Sequence, residues 1–368
     1  MLTSYLALAG AIGAAAFFSG RFLLPRVHQR NLSRGRVDAP GGRKTQAAPV
    51  PFGGGTVLMA GVAIPLVLGF ATALAATLGV VSLPESLAPY ADGALSRWFP
   101  ISALVVASVG LAAMGRVDDS RGLKVGPRLI IQFVLATLVV LSGIRASLFV
   151  DSFLLQLIVS VMWLVFATNA MNFIDNMDGL CVGSGLASAL GIATLALLDG
   201  QVLVMALAIS LAGALAAVLS WNRPPARLYL GDEGSQFAGF LLAALGLALS
   251  FQPEQSATRG FSFVPFFAPL LLMVIPVADG ATVIVSRCRR GIPPWTAGLD
   301  HLSHRLARRL SSKTKAVAML LSIAFWGAAG AVLVVNGSPP HLAAAALLAA
   351  VGAAVVIFLS TGPRRSRP

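Results

Sequence analysis

Residues 180–220 read LCVGSGLASALGIATLALLDGQVLVMALAISLAGALAAVLS, and the only charged side chain among them is Asp199. Asp199 and Gly200 split the stretch into two uncharged runs, each close to the ~20 residues a helix needs to cross the hydrocarbon core of a bilayer. Two such runs joined by two residues make a tight helical hairpin inside a membrane. That reading decides the class: an all-α, polytopic transmembrane helix bundle.

The same texture extends in both directions. Charged residues are 11% of the 368-residue chain against a usual ~25%, while 57% are hydrophobic. A soluble protein of this length could not keep so much apolar surface away from water. Counting apolar runs gives about eleven spans (ten to eleven), near 3–24, 53–80, 100–115, 129–147, 152–169, 180–198, 201–220, 235–251, 262–286, 315–335 and 341–360. The first lacks a basic leader and a small-residue cleavage site, so it reads as a span. Cys181 and Cys288 suggest neither a disulfide nor a metal cluster. No repeat or linker divides the chain, which reads as one integral-membrane domain, 1–368.

The net charge of +13 would point to nucleic acid in a soluble protein. Here its placement gives another cause. With alternating loops, 24 of the 27 Lys and Arg residues fall on one side and only Arg97, Arg145 and Arg259 on the other. Basic residues gather on the cytosolic side of membrane proteins. The N-terminus is therefore expected in the periplasm, the C-terminus in the cytosol, and no nucleic-acid partner is implied. Membrane lipids account for the rest of the charge.

The 14 acidic residues are scarce, and several concentrate in cytosolic loops 25–52, 115–128, 169–179, 221–234 and 287–314. Ionisable groups at membrane depth are costly, so a functional role is their default reading. Asp118 and Asp119 close the third span; adjacent carboxylates are tolerated best beside a cation or a reacting proton. Asn169, Asn172, Asp175 and Asp178 recur every third residue, which a tight helical turn would stack on one stripe. Asn222, Arg223 and two prolines precede Tyr229-Leu230-Gly231-Asp232-Glu233-Gly234-Ser235, a turn that lets backbone and a carboxylate approach a ligand. The longest cytosolic loop carries Asp300, His301, His304 and Arg305 among arginines, a setting better suited to anions than to a two-histidine metal site. Lys44, between Pro40 and Gly53-Gly54-Gly55, is a plausible phosphate contact. Carboxylates for a hard divalent cation together with basic groups for phosphates are what phosphoryl transfer requires.

The motifs Asp38-x-Pro40…Arg43-Lys44…Pro51-x-Gly53-Gly54, Asp118-Asp119, Asn169-x-x-Asn172-x-x-Asp175-x-x-Asp178-Gly179, Asn222…Tyr229-x-Gly231-Asp232-x-Gly234-Ser235 and His301-x-x-His304-Arg305 occur in this order along most of the chain. In this the sequence resembles the polyprenyl-phosphate N-acetylhexosamine-1-phosphate transferases. The resemblance implies transfer of a sugar phosphate, GlcNAc-1-phosphate in the first instance, from a UDP-N-acetylhexosamine to undecaprenyl phosphate. It implies Mg²⁺, with Mn²⁺ as an alternative, on the cytosolic face of a bacterial inner membrane. UMP and an undecaprenyl-diphospho-sugar would be the products, the start of a cell-envelope polysaccharide such as O-antigen. It further implies Asp232 as main metal ligand with Asp175 assisting, and Asp118 as the group that deprotonates the lipid phosphate, with Asp119 beside it. Asn172, Asp178, Asn222 and Tyr229 would line the nucleotide pocket, and Lys44, His301, His304 and Arg305 would meet diphosphate and sugar. Homodimers are common among such enzymes.

Three departures qualify the match. Gln46 stands where the family often has His, Asn176 replaces a common Gly, and the last loop lacks consecutive histidines. The last point favours a plain HexNAc-phosphate transferase over the phospho-MurNAc-pentapeptide enzyme that makes lipid I. A transporter or lipid flippase, the rival of another class, would place paired charges at mid-membrane in broken helices. Here the charges gather at one face.

Overall fold

A computed structural model describes residues 2–39, 48–146, 152–249, 264–296, 298–335 and 352. The chain is helical nearly throughout, in the order α1 (Leu2–Ser33), β1 (Val37–Asp38), β2 (Val50–Pro51), α2 (Gly54–Thr77), α3 (Ala88–Ser96), α4 (Trp98–Arg121) and α5 (Val125–Leu141). There follow α6 (Phe153–Phe173), α7 (Leu180–Leu198), α8 (Val202–Asn222), α9 (Gly231–Leu249), α10 (Val264–Leu272), α11 (Val274–Cys288), α12 (Leu302–Leu310) and α13 (Lys313–Val335). β1 and β2 form a two-residue antiparallel ladder, Val37 opposite Pro51 and Asp38 opposite Val50.

Among the described residues, seven helices (α1, α2, α4, α6, α7, α8 and α13) are long and apolar enough to cross a membrane. The chain is thus a polytopic, all-α membrane protein. At 17 residues α5 is shorter, and an apolar stripe on it is open: Ile130 and Val134 are exposed, as are Phe133, Leu138 and Leu141. Exposed Phe18, Phe22, Val67 and Leu154 likewise suit contact with lipid rather than water.

Every apolar run read from 3–24 to 315–335 contains a helix, and the run at 341–360 lies outside the described residues, Gly352 apart. The edges differ in an instructive way. The span expected at 262–286 is two helices meeting at Met273, with Pro269 and Pro276 on either side of the break, where each proline removes a backbone donor. α1 runs on to Ser33, past the expected 24, because its polar end is met by other chain segments: Asn31 Nδ2 donates to the Phe52 carbonyl at 2.6 Å. α4 carries Asp118 and Asp119 inside the helix rather than in a loop, and α6 carries Asn169 and Asn172. The loop expected at 287–314 contains α12. Composition marks where lipid contact stops, but a helix continues wherever its polar side chains find partners.

The bundle is arranged around α9. Nearly every residue from Glu233 to Leu247 is buried, with α4, α6 and α2 packed against it. α8 lies between α1 and α7, and α13 closes over α7, α10 and α12. Small residues let these helices touch backbone to backbone, as membrane bundles favour. The tightest approach is at Gly115 of α4, where a Cβ would overlap the Asp232 carbonyl and sit 2.6 Å from the Glu233 amide nitrogen. Replacing Gly115 with Ala should therefore push α4 off the start of α9 at a cost of ~1–3 kcal/mol, as overpacking does. A thermal-unfolding measurement in detergent checks this, and an unchanged Tm would mean that the two helices do not meet there.

Candidate active site

The start of α9 is the centre of the site. Gly231 adopts φ +73°, a left-handed conformation open to glycine, and turns the chain from the Tyr229 loop into the helix. The first amides of a helix have no partner within it. Here Asp119 supplies one from α4: Oδ1 accepts from Asp232 N at 2.9 Å and Oδ2 from Glu233 N at 3.2 Å. A carboxylate suits this place twice over, since it satisfies both donors and faces the positive end of the helix dipole. The result fixes the Asp232 backbone against α4.

The side chain of Asp232 is fixed from α6. Asn172 Nδ2 donates to Asp232 Oδ1 at 2.7 Å and also lies 2.9 Å from Ser235 Oγ. Asp118, one position before the capping aspartate, reaches the Asp232 side chain as well. It accepts from Leu123 N at 2.7 Å and pairs with Arg128 Nη1 at 2.7 Å. Arg128 Nη2 reaches back to Asn172 Oδ1 at 3.4 Å. Below this layer Gln132 joins Asn169 and Gln236 through amide hydrogen bonds of 2.7 and 2.8 Å. Four helices thus share one polar ladder at one end of an apolar bundle.

Asp175 stands in the turn after α6. Burial raises its pKa, and the negative charges of Asp232 and Asp119 raise it further, while a hydrogen bond from Gly231 N opposes them. Three carboxylates within electrostatic reach of one another invite a cation. Among the described residues, however, no three acidic, histidine or cysteine side chains converge tightly enough to hold a metal on their own. Mg²⁺ is commonly held by one or two carboxylates with substrate phosphates and water completing the shell, a donor chemistry that this carboxylate cluster offers.

Asp178 and Asn222 shape the neighbouring loops. Asp178 Oδ2 accepts from Ala226 N at 2.9 Å. Asn222 is buried, and both ends of its amide are committed: Oδ1 accepts from Gly179 N at 3.0 Å, and Nδ2 donates to the Leu228 carbonyl at 2.9 Å. Tyr229 binds the Pro51–Gly54 segment through its backbone, donating to Pro51 O at 2.9 Å and accepting from Gly54 N at 3.0 Å. Burial, then the charge of Asp178, pushes its phenol up to about 12, so the hydroxyl keeps its proton. Lys44, with Arg43 and Gln46, lies outside the described residues.

The histidine loop docks against the aspartate turn. Ser303 Oγ donates to Asn176 Oδ1 at 2.7 Å, so the residue that replaces a common glycine is a bridge between the two loops. His301 packs edge-on to Phe173, 6.2 Å between ring centroids, and lies 6.0 Å from His304. His304 is half-buried; burial and then the nearby His301 lower its pKa and favour the neutral ring. Arg305 Nε donates to the Asp300 carbonyl at 2.8 Å. The Asp300 side chain is held by Arg287 through two bonds of 2.8 and 3.0 Å and by Arg290 at 2.6 Å. Burial works against its ionisation, but the arginines prevail and hold it down at about 2.

Several residues carry more of this site than the sequence disclosed. Buried Glu233 accepts from Thr56 Oγ1 at 2.7 Å and pairs with Arg116 at 3.2 Å, with Arg36 at 3.8 Å. Asp279, buried on α11, has a carboxyl oxygen 2.7 Å from His301 Nδ1. Arg36, Arg116 and Arg128 had been counted only as topological charge. A lone acid inside an apolar run was the available signal for Asp279, and the acid neighbouring Asp232 for Glu233. Replacing Asp119 with Ala should leave the two α9 amides without their acceptor, costing roughly 0.5–2 kcal/mol as lost helix caps do. Denaturation of the purified variant against wild type tests this; equal stability would remove Asp119 from its capping role.

Comparison with known proteins agrees with this geometry. Residues 101–250, α4 through α9, match the glycosyl transferase family 4 model. A probable undecaprenyl-phosphate N-acetylglucosaminyl 1-phosphate transferase of Bacillus subtilis is 26% identical over 324 residues, 86% of this chain and 82% of that one. A decaprenyl-phosphate N-acetylglucosaminephosphotransferase of Mycolicibacterium smegmatis is 29% identical over 358 residues, 89% and 83% of the two chains. A phospho-N-acetylmuramoyl-pentapeptide-transferase of Lactobacillus acidophilus aligns at 30% over 190 residues, 47% of this chain and 59% of that one. The family model thus lies over the helices that carry the carboxylate cluster, and this chain is similar to the two polyprenyl-phosphate relatives across more than four-fifths of both chains.

Proposed function

We propose that the protein transfers GlcNAc-1-phosphate from UDP-GlcNAc to undecaprenyl phosphate, yielding undecaprenyl-diphospho-GlcNAc and UMP. The observation that carries this reading is the convergence of Asp118, Asp119, Asn172, Asp175 and Asp232 at one end of an apolar bundle, beside a histidine-arginine loop. The relatives aligned along most of their length are named for GlcNAc-phosphate transfer to a polyprenyl phosphate, whereas the muramoyl-pentapeptide relative aligns over only part of its own. The lipid I reaction is accordingly not favoured, and neither is a flippase, since the charged residues line one end and not the middle. Sidedness follows from the 24 to 3 division of basic residues: site and C-terminus in the cytosol, N-terminus outside, in the inner membrane.

In this mechanism an oxygen of the lipid phosphate attacks the phosphorus bonded to the sugar, and the bond to the UMP oxygen breaks. Mg²⁺ bound by Asp232 and Asp175 would supply charge neutralisation at the diphosphate. Asn172 and the Asp119 cap hold Asp232 in place while Asp118, paired with Arg128, presents a carboxylate and a guanidinium where the two phosphates would meet. A phosphate monoester already carries most of its second negative charge at neutral pH, so it is a competent nucleophile and a covalent enzyme intermediate is unnecessary. Neutral His304 can exchange hydrogen bonds with the sugar or its phosphate without adding charge.

The assay is UMP release in detergent from UDP-GlcNAc, undecaprenyl phosphate and Mg²⁺. Wild type should turn over, chelation should stop it and added Mg²⁺ restore it. Asp232→Ala should fall by roughly 10²-fold or more, as expected when several kcal/mol of charge stabilisation is lost. A folded wild type that releases no UMP in detergent, but moves lipid-linked sugar across a sealed membrane, would overturn the transferase in favour of a flippase.

A further inference from the structure

Asp279 sits on α11, 1% exposed, and the transfer mechanism above leaves it without a part. Both of its oxygens are directed at the start of α12. Oδ2 lies 2.7 Å from His301 Nδ1, and Oδ1 accepts from Leu302 N at 2.6 Å. The Leu302 amide can only donate to the carboxyl, whereas the 2.7 Å contact joins its other oxygen to a ring nitrogen whose role depends on the tautomer. The backbone bond alone could be made by an amide. An acid buried to this degree among apolar helices calls for a stronger reason.

That reason lies on the opposite edge of the imidazole. An imidazole that donates from Nδ1 and carries no second proton offers an Nε2 lone pair as an acceptor. The ring is held against Phe173, which ends the helix carrying Asn172, and it lies one turn from His304. The Ser303–Asn176 bond pins the same turn of α12 to the aspartate loop. Carboxylate–imidazole pairs of this kind set which nitrogen is available, a task an amide of the same shape performs in reverse.

We propose that Asp279 is a positioning residue: it holds His301 in the Nδ1–H tautomer, so that Nε2 accepts a hydrogen bond from a hydroxyl or N–H of the sugar nucleotide. The proposal rests on the transferase reading of the site. Asparagine at 279 would keep the Leu302 bond through its oxygen but turn an N–H toward His301, forcing the proton to Nε2 and removing the acceptor.

The test uses the full-length protein in detergent with ¹⁵N-labelled histidine. The chain has four histidines, and the spectrum of His301→Gln assigns the signal. Wild type should show His301 protonated at Nδ1, and Asp279→Asn should show it protonated at Nε2 with Tm retained. UMP-release kinetics should give Asp279→Asn a loss in kcat/KM for UDP-GlcNAc of about 10²-fold or more, by analogy with carboxylate-to-amide changes beside catalytic histidines. In the His301→Gln background the same change should add little, because both act through one contact. An Nε2–H tautomer in wild type, an unaltered tautomer in Asp279→Asn, an unchanged kcat/KM or fully additive losses would each overturn the proposal. Should wild type turn over no UDP-GlcNAc, the transferase reading fails, while the tautomer measurement still decides whether Asp279 sets His301.

Discussion

Two backbone amides at the start of α9 need an acceptor, and Asp119 provides it from another helix. The site is organised by this bond pair. It sets the distance between α4 and α9, a distance that only Gly115 at the contact permits. It places Asp118, one residue back, beside Asp232, one residue into α9. In water such a cap would be a modest local stabiliser. At the end of a membrane bundle, where an unpartnered amide finds no easy alternative, the same geometry becomes a constraint that neighbouring helices must accommodate.

Polar side chains in this protein therefore do two kinds of work, and most do both. Asn172 is held by Arg128 and in turn holds Asp232; Asn176 belongs to the aspartate turn yet anchors the histidine loop; Glu233 gathers Thr56, Arg116 and Arg36 from three other segments. Such networks restrain their members because several are held by two or more partners at once. Rigidity of this sort is useful where reacting groups have to meet at fixed distances.

The membrane class and the positions of the helices were legible because uncharged runs of fixed length have few other uses. The acidic motifs were legible because charge in such a chain is rare. Helix ends were not: α1, α4 and α6 continue past the apolar stretch, since Asn31, Asp118, Asp119 and Asn172 are satisfied by residues on other segments. The division of labour between the paired aspartates was equally hidden. Nothing in Asp118-Asp119 as letters tells that one meets an arginine and the other caps a helix more than a hundred residues later. Arg128 and Asp279 were overlooked for the same reason, each being a single charge whose partner lies on another element.

The shortness of α5 has a mechanical consequence. Seventeen helical residues rise about 26 Å, less than the ~30 Å hydrocarbon layer of an ordinary bilayer. Its exposed flank, from Ile130 to Leu141, starts just after Arg128. Lipid beside this flank must compress or tilt to cover it, at a fraction of a kcal/mol for each ångström of mismatch. The apolar flank therefore begins within one turn of the arginine that meets Asp118, so lipid that covers it lies next to the carboxylate layer.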